Sequence, residues 1–467
     1  MKRIVSIFIV LLIFCGAISA QSSLENFANR WWYAYLEEAA LPLNITFAKS
    51  DAGAISLELY SPMQSSDPMI PSSWSFENDT LLISHKRLGL KMTLVWNEED
   101  SSFVGLFRQG LLRTVLRFTP AEGMFKIVRP QTPQPPFPYR GKEVTVERKK
   151  AGVRLSGTLT LPNDSGKKFP AVVLVSGSGQ QNRDEEIMGH KPFLVIADWL
   201  TRNGIAVLRY DDREVGGSKG PLETATTLDF ADDAEAMFDY LYHCKEIDPK
   251  RVGIIGHSEG AEIASIIASR NKKVGFIVML GGPGTTGADI LMQQSGLILE
   301  LNGVPHRLAD RHVEAMRDFF GVMDSAQPAD YEKLFIAVCE KHSEDLTKEE
   351  RKQAALGKAD AMAMASQMAI PWMQTFVKLD NRDYLKKVKC PILAIGGSKD
   401  CQVVPSNLDA IKSATGGKAE IRLMEGLNHL LQHCTTGAPN EYMLIQETVA
   451  QEVLDCIIDW LGRIKKK

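Results

Sequence analysis

Two periodicities divide the chain. Between residues 43 and 119, short runs alternate apolar and polar positions: Ala54-Ile-Ser-Leu-Glu-Leu-Tyr60, Thr80-Leu-Leu-Ile-Ser84, Leu88-Gly-Leu-Lys-Met-Thr-Leu-Val-Trp96 and Leu112-Arg-Thr-Val-Leu-Arg-Phe118. A period of two sends alternate side chains to opposite faces, so these runs predict strands of a small antiparallel β module. Asn97-Glu-Glu-Asp-Ser-Ser102 interrupts them as a hairpin loop would. Residues 23–40 (SLENFANRWWYAYLEEAA) have the composition of a short amphipathic helix. Five prolines follow within residues 128–138, and 128–139 reads as a stiff, extended connector.

From residue 140 the pattern changes. A hairpin over 143–147 and 153–161 is followed by buried apolar runs alternating with helical ones: 171–175, 205–210, 252–255, 274–280 and 391–395 as strands, with helices near 193–200, 231–242 and 261–268. That alternation predicts a doubly wound, mostly parallel sheet covered by helices on both faces. Residues 289–389 are helical and Met-rich without a strand, so a helical cap is expected at about 288–388. A strand over 419–424 and a helix around 448–464 close the domain. The expected organisation is a β-rich domain over 21–127, then an α/β domain over 140–467.

The first twenty residues change the picture of where the protein works. Lys2 and Arg3 precede an apolar stretch that gives way to small residues up to Ala20, the pattern of a secretory signal cleaved before Gln21. The expected destination is secreted or periplasmic, with no membrane span after cleavage. At 467 residues and 44% hydrophobic content the chain can bury a large core, and its net charge of -3 gives no reason to expect nucleic acid. Six cysteines follow the signal and none stands in a C-x-x-C pair, so a structural zinc site is not expected; nothing else in the sequence implies a metal or an organic cofactor. Cys401 and Cys434 are the two that a bridge between loops would join.

The chemistry starts from VGIIGHSEGAEIASIIA (252–268), which contains Gly256-x-Ser258-x-Gly260. A second copy of the spacing stands at Gly216-Gly-Ser218-Lys-Gly220. Only Ser258 directly follows an apolar strand and directly opens an apolar helix, as a nucleophile elbow requires. Ser218 lies beyond a polar stretch and before Pro221, and is expected in a flexible loop. A serine hydroxyl needs a base and an orienting acid, in the chain order Ser, acid, His on this architecture. Asp400, in ILAIGGSKD, ends a strand; His429, in GLNHL, follows the last one; His433 is expected at the surface. The backbone amides of Glu259 and Ser178 are the expected oxyanion donors, the latter in the loop VSGSGQQNRD after the first buried strand.

With these residues in hand, the chain resembles the α/β-hydrolase superfamily, and within it secreted bacterial serine esterases with an extra N-terminal module. VSGSGQQNRDE (175–185), GHKPFLVIADWL (189–200), RYDDREVGGSKG (209–220), GHSEGAEIA (256–264), KCPILAIGGSKDCQV (389–403) and GLNHLLQ (426–432) carry the resemblance. It departs at Glu214, where such proteins tend to have Gly, and at Ser176, where many have His. It implies Gly177, Gly179, Gln180, His190 and Arg213 as candidate pocket residues. The expected function is hydrolysis of a small-molecule carboxylic ester through an acyl-enzyme on Ser258. An α/β-hydrolase peptidase, an acyltransferase and a catalytically silent envelope-binding protein are the alternatives.

Overall fold

The computed structural model describes residues 24–36, 41–62, 67–110, 112–126, 128–164, 166–323 and 325–464. The segment read as a secretory signal, residues 1–20, lies outside them. Contacts divide the chain into two compact units, Met1–Lys126 and Ile127–Lys467.

The first unit is one antiparallel sheet of eight strands: β1 (Trp31–Leu36), β2 (Leu41–Lys49), β3 (Ile55–Tyr60), β4 (Ser73–Glu77), β5 (Thr80–His85), β6 (Leu90–Asn97), β7 (Ser102–Gln109) and β8 (Leu112–Ala121), in the order β3-β2-β1-β8-β7-β6-β5-β4. The expected hairpin forms with Asn97 opposite Ser102. The helix expected over 23–40 does not. Leu24–Phe27 is a single 3-10 turn and Trp31–Leu36 is a strand. Its burial alternates: Trp32, Ala34 and Leu36 point inward while Trp31, Tyr33 and Tyr35 are half-buried. Aromatic side chains fit a half-buried pleated surface better than a short helix. Pairing with β2 and β8 then satisfies the backbone on both edges. Phe27, Trp32, Phe47 and Phe103 form the aromatic heart of this unit.

The second unit has the α/β-hydrolase fold. Its strands are β9 (Arg140–Arg148), β10 (Val153–Leu161), β11 (Phe169–Val175), β12 (Ala206–Tyr210), β13 (Ile247–His257), β14 (Ile277–Leu280), β15 (Ile392–Gly397) and β16 (Glu420–Met424), ordered β16-β15-β14-β13-β11-β12-β10-β9. From β12 to β16 neighbours run parallel; β9 and β10 are antiparallel. Helices α1 (Pro192–Arg202), α2 (Thr227–Tyr242) and α3 (Glu259–Arg270) alternate with these strands. Strands β11, β14 and β15 are buried almost throughout, which explains their unbroken apolar runs.

Between β14 and β15 the chain forms the helical insertion: α4 (Gly287–Leu301), α5 (His306–Met323), α6 (Tyr331–Lys341), α7 (Lys348–Gln353), α8 (Lys358–Met368), α9 (Pro371–Phe376) and α10 (Arg382–Leu385). It has its own core, in which Met323 and Met368 pack with Leu308, Phe319 and Phe335. Helices α11 (Ser406–Ala414) and α12 (Gln451–Arg463) complete the domain. The proline-rich stretch is not a free connector. Arg129 donates to the carbonyls of Met188, Met443 and Ile445, and the Gln131 side chain bonds the backbone of Thr448 and Val449.

Candidate active site

The sheet order reverses at β11, whose neighbours β12 and β13 lie on opposite sides. Loops leaving the carboxyl ends of strands at such a point diverge and open a crevice. Ser258 stands there, the single residue between β13 and α3. Its backbone has φ 53° and ψ -121°, a conformation that costs a non-glycine residue about 1–3 kcal/mol and persists only where packing enforces it. The packing is visible in the two flanking glycines. A Cβ on Gly256 would lie 2.0 Å from the Gly260 carbonyl oxygen, and one on Gly260 would lie 2.0 Å from that of Val175. The hydroxyl makes no capping bond to its helix, and the residue is only half-buried.

Asp400 follows β15 and is 3% exposed. Its Oδ1 accepts from the amides of Gln402 and Val403 at 2.9 and 2.8 Å, and its Oδ2 meets His429 Nδ1 at 2.8 Å. Nδ1 therefore carries the proton, which leaves Nε2 of His429 as the basic nitrogen. The His429 ring lies 4.8 Å, centroid to centroid, from that of His257, the residue before Ser258. The structure thus brings Asp400 to His429, and His429 to the elbow. Among the described residues no hydrogen bond joins Ser258 to His429.

The loop after β11 approaches from the other side. A Cβ on Gly177 would be 3.1 Å from Cβ of Ser258, a tight contact that the missing side chain of glycine relieves. The Gly177 amide donates to Glu185 Oε1 at 2.7 Å, while Ser178, Gly179 and Gln180 are exposed at the loop tip. Among the described residues the Ser178 amide has no partner. Glu259 opens α3, where backbone N–H groups lack helical acceptors. Its side chain is also engaged: Oε1 accepts from Thr227 Oγ1 at 2.6 Å and from Trp372 Nε1, on insertion helix α9, at 2.7 Å. Burial raises its pKa.

Two candidate pocket residues are structural instead. His190 is fully buried, with Nε2 2.8 Å from the Tyr442 carbonyl and Nδ1 3.1 Å from the Thr448 hydroxyl; burial pushes its pKa down to about 4. Arg213 bonds Asp233 through Nε at 2.6 Å and the Pro221 carbonyl at 2.8 Å. Both nitrogens of the ring and all three of the guanidinium are thus engaged with groups of the fold. Because Arg213 and Asp233 are both 3% exposed in their side chains, Arg213→Met should destabilise the domain by ~3 kcal/mol. Urea unfolding measures this, with kcat little changed; an unaltered midpoint would show that the pair carries no such weight.

Ser218 is no flexible loop residue either. It is fully buried, accepts from the Ser156 amide and donates to the Asp211 carbonyl at 2.8 and 2.7 Å. Glu214 adopts φ 61°, a left-handed conformation that favours glycine, while its carboxylate accepts from the Gly220 amide at 2.8 Å. The bridge between Cys401 and Cys434 is absent. Both are free thiols, and each donates to a carbonyl of its own surroundings, Gly437 and Gly426 respectively. His433, as expected, pairs with Glu447 at the surface.

Sequence reading missed three buried groups. Glu185 and His257 pair behind the serine at 2.9 Å. Asp212 lies under the Ser176 loop, with its pKa pushed up to about 8 by burial and further by Glu259 and Glu185. The available signal was the density of acids in DDR and RDEE beside a sheet edge.

The chain is similar to several known proteins. Esterase EstD of Thermotoga maritima is 27% identical over 329 residues, 70% of this chain and 68% of that protein. Among solved structures, the Pyrococcus furiosus esterase Pf2001 is 17% identical with a TM-score of 0.41, covering 70% of this chain and 93% of that one. A proline iminopeptidase of Mycobacterium smegmatis is 14% identical with a TM-score of 0.42, covering 69% and 98%. The model of the family described as X-Pro dipeptidyl-peptidase (S15 family) matches residues 151–434. That match takes in most of the chain and every loop that meets at Ser258, and the protein is a member of the S15 family of α/β hydrolases.

Proposed function

We propose that the protein is a serine hydrolase of carboxylic esters, with Ser258 as nucleophile, His429 as base and Asp400 as the orienting acid. The carrying observation is the Asp400–His429 bond, 2.8 Å long and buried, beside a serine in a strained turn. In this reading Nε2 of His429 takes the Ser258 proton as Oγ attacks the ester carbonyl. The oxyanion of the tetrahedral intermediate accepts from the amides of Glu259 and Ser178. Collapse expels the alcohol, which receives its proton from His429. Water then gives a proton to His429 as it attacks the acyl-serine, and on collapse His429 returns that proton to Oγ, releasing the acid and free Ser258. The insertion would shape the acyl pocket, because Trp372 reaches the side chain of Glu259. Secretion through the amino-terminal signal belongs to the same proposal and rests on Lys2, Arg3 and the apolar run after them.

The similarity to EstD favours an ester substrate; the family's description favours a second reading, an X-Pro dipeptidyl-peptidase. One assay separates them. Turnover of p-nitrophenyl acetate should exceed that of Gly-Pro-p-nitroanilide by at least about 10²-fold in kcat/KM, a gap of ~2.7 kcal/mol in transition-state stabilisation. A preference for the anilide would replace the first reading with the second. An ester series graded by chain length then defines the acyl pocket.

A further inference from the structure

We propose that Glu185 and His257 form a charged positioning pair that holds the base loop and the oxyanion loop in register around Ser258. The proposal rests on the serine hydrolase reading above and adds two residues to it, neither of which touches the reacting atoms.

The geometry ties three segments together: the loop between β11 and α1, the elbow and the base loop. Glu185 Oε1 accepts from the Gly177 amide at 2.7 Å and from His257 Nδ1 at 2.9 Å. His257 Nε2 donates to the backbone carbonyl of His429 at 3.0 Å. One end of the pair therefore fixes the peptide before Ser178, the middle sits in the elbow, and the other end grips the backbone of the base. Glu185 itself adopts φ 52°, so its placement too is enforced by its surroundings.

Both ring nitrogens of His257 face acceptors, a carboxylate and a carbonyl, and an imidazole meets two acceptors only when both nitrogens are protonated. The ring is an imidazolium and Glu185 its counter-ion. Pro192, Phe193, Ile196 and Leu280 line the same small void, which keeps water from screening the charges. Burial acts to lower the His257 pKa, but the Glu185 carboxylate and the His429 carbonyl outweigh it and raise it to about 9. The other acids near the pair are Asp400, which also favours the cation, and Asp212, which lies close to Glu185.

Deprotonation has a defined consequence. The remaining proton stays on Nδ1, against the carboxylate. Nε2 then turns a lone pair toward the carbonyl oxygen of His429, and attraction becomes repulsion at the base. Since the folded pKa is raised above 6.5, the pair's stabilising contribution is full below that value and is lost as pH rises through about 9.

The test is the alkaline limb of kcat/KM for a short p-nitrophenyl ester, corrected for spontaneous hydrolysis. Wild type should lose activity near pH 9. Glu185→Gln removes the counter-ion, so the limb should move at least about one unit toward neutrality, with kcat reduced roughly 10²-fold and KM within about threefold. Asp212→Asn should leave the limb near pH 9. A Glu185→Gln limb that stays in place, while fluorophosphonate still labels Ser258 in wild type, overturns this inference and leaves the hydrolase reading intact. Absence of labelling in wild type removes the reading itself. Should the variant not fold, nitrogen-15 NMR of histidine-labelled wild type decides: two protonated ring nitrogens at His257 at neutral pH are expected, and a neutral ring overturns the pair.

Discussion

Ser258→Ala should lower kcat for esters by roughly 10⁶-fold while leaving the fold intact. Both halves follow from the structure. The hydroxyl is the only group lost, and it makes no capping bond to α3, so no helix terminus is weakened. Alanine has the same Cβ as serine, so the strain at φ 53° is the same before and after substitution. The elbow's tightness comes from Gly256 and Gly260, which remain. A thermal midpoint unchanged within a few degrees, together with loss of turnover and of fluorophosphonate labelling, is the expected pair of results. Retention of a tenth of wild-type turnover would falsify the assignment of Ser258.

The second large effect is a loss of about 10⁴-fold for Asp400→Asn. Here the surroundings dictate the outcome. The amides of Gln402 and Val403 both point at Oδ1 of Asp400, so an asparagine must present its carbonyl oxygen to them. Its NH₂ is then aimed at Nδ1 of His429, which must accept, and the ring proton moves to Nε2. The nitrogen meant to receive the serine proton is already occupied. Because backbone contacts are preserved, stability should change little, and the deficit should fall in kcat more than in KM. Steady-state kinetics on the ester used for Ser258→Ala provide the measurement. An asparagine variant within tenfold of wild type would mean that His429 is oriented by something other than residue 400.

The legible part of the site is the part written in local patterns. A glycine two residues either side of Ser258, a strand before it and a helix after it are visible within a short window, because the turn itself forbids side chains at those positions. Asp400 and His429 stood out because each comes one short glycine-containing turn after an apolar run. Ser218 shows the limit of the same spacing. It lies among the same residue types, and its burial against Ser156 and Asp211 rests on contacts across 62 and 7 residues of chain. His190 and Arg213 lie in motif stretches, yet their partners come from distant segments: Tyr442 and Thr448 for one, Asp233 for the other. No window around either residue contains the fact that its polar atoms are already taken.

By itself the sequence determined the alternation of strands and helices, the apolar runs of the parallel sheet, and the order in which serine, acid and histidine reach its edge. These are consequences of periodicity and chain order, which are local or one-dimensional. Tertiary structure decided the rest. It made Trp31–Leu36 a strand by supplying partners on both sides, left Cys401 and Cys434 as free thiols bonded to separate carbonyls, and paired Glu185 with His257 across 72 residues. Burial and charge pairing depend on which distant groups converge in space, and the free energy of an ionised side chain is set by those neighbours rather than by its own place in the chain.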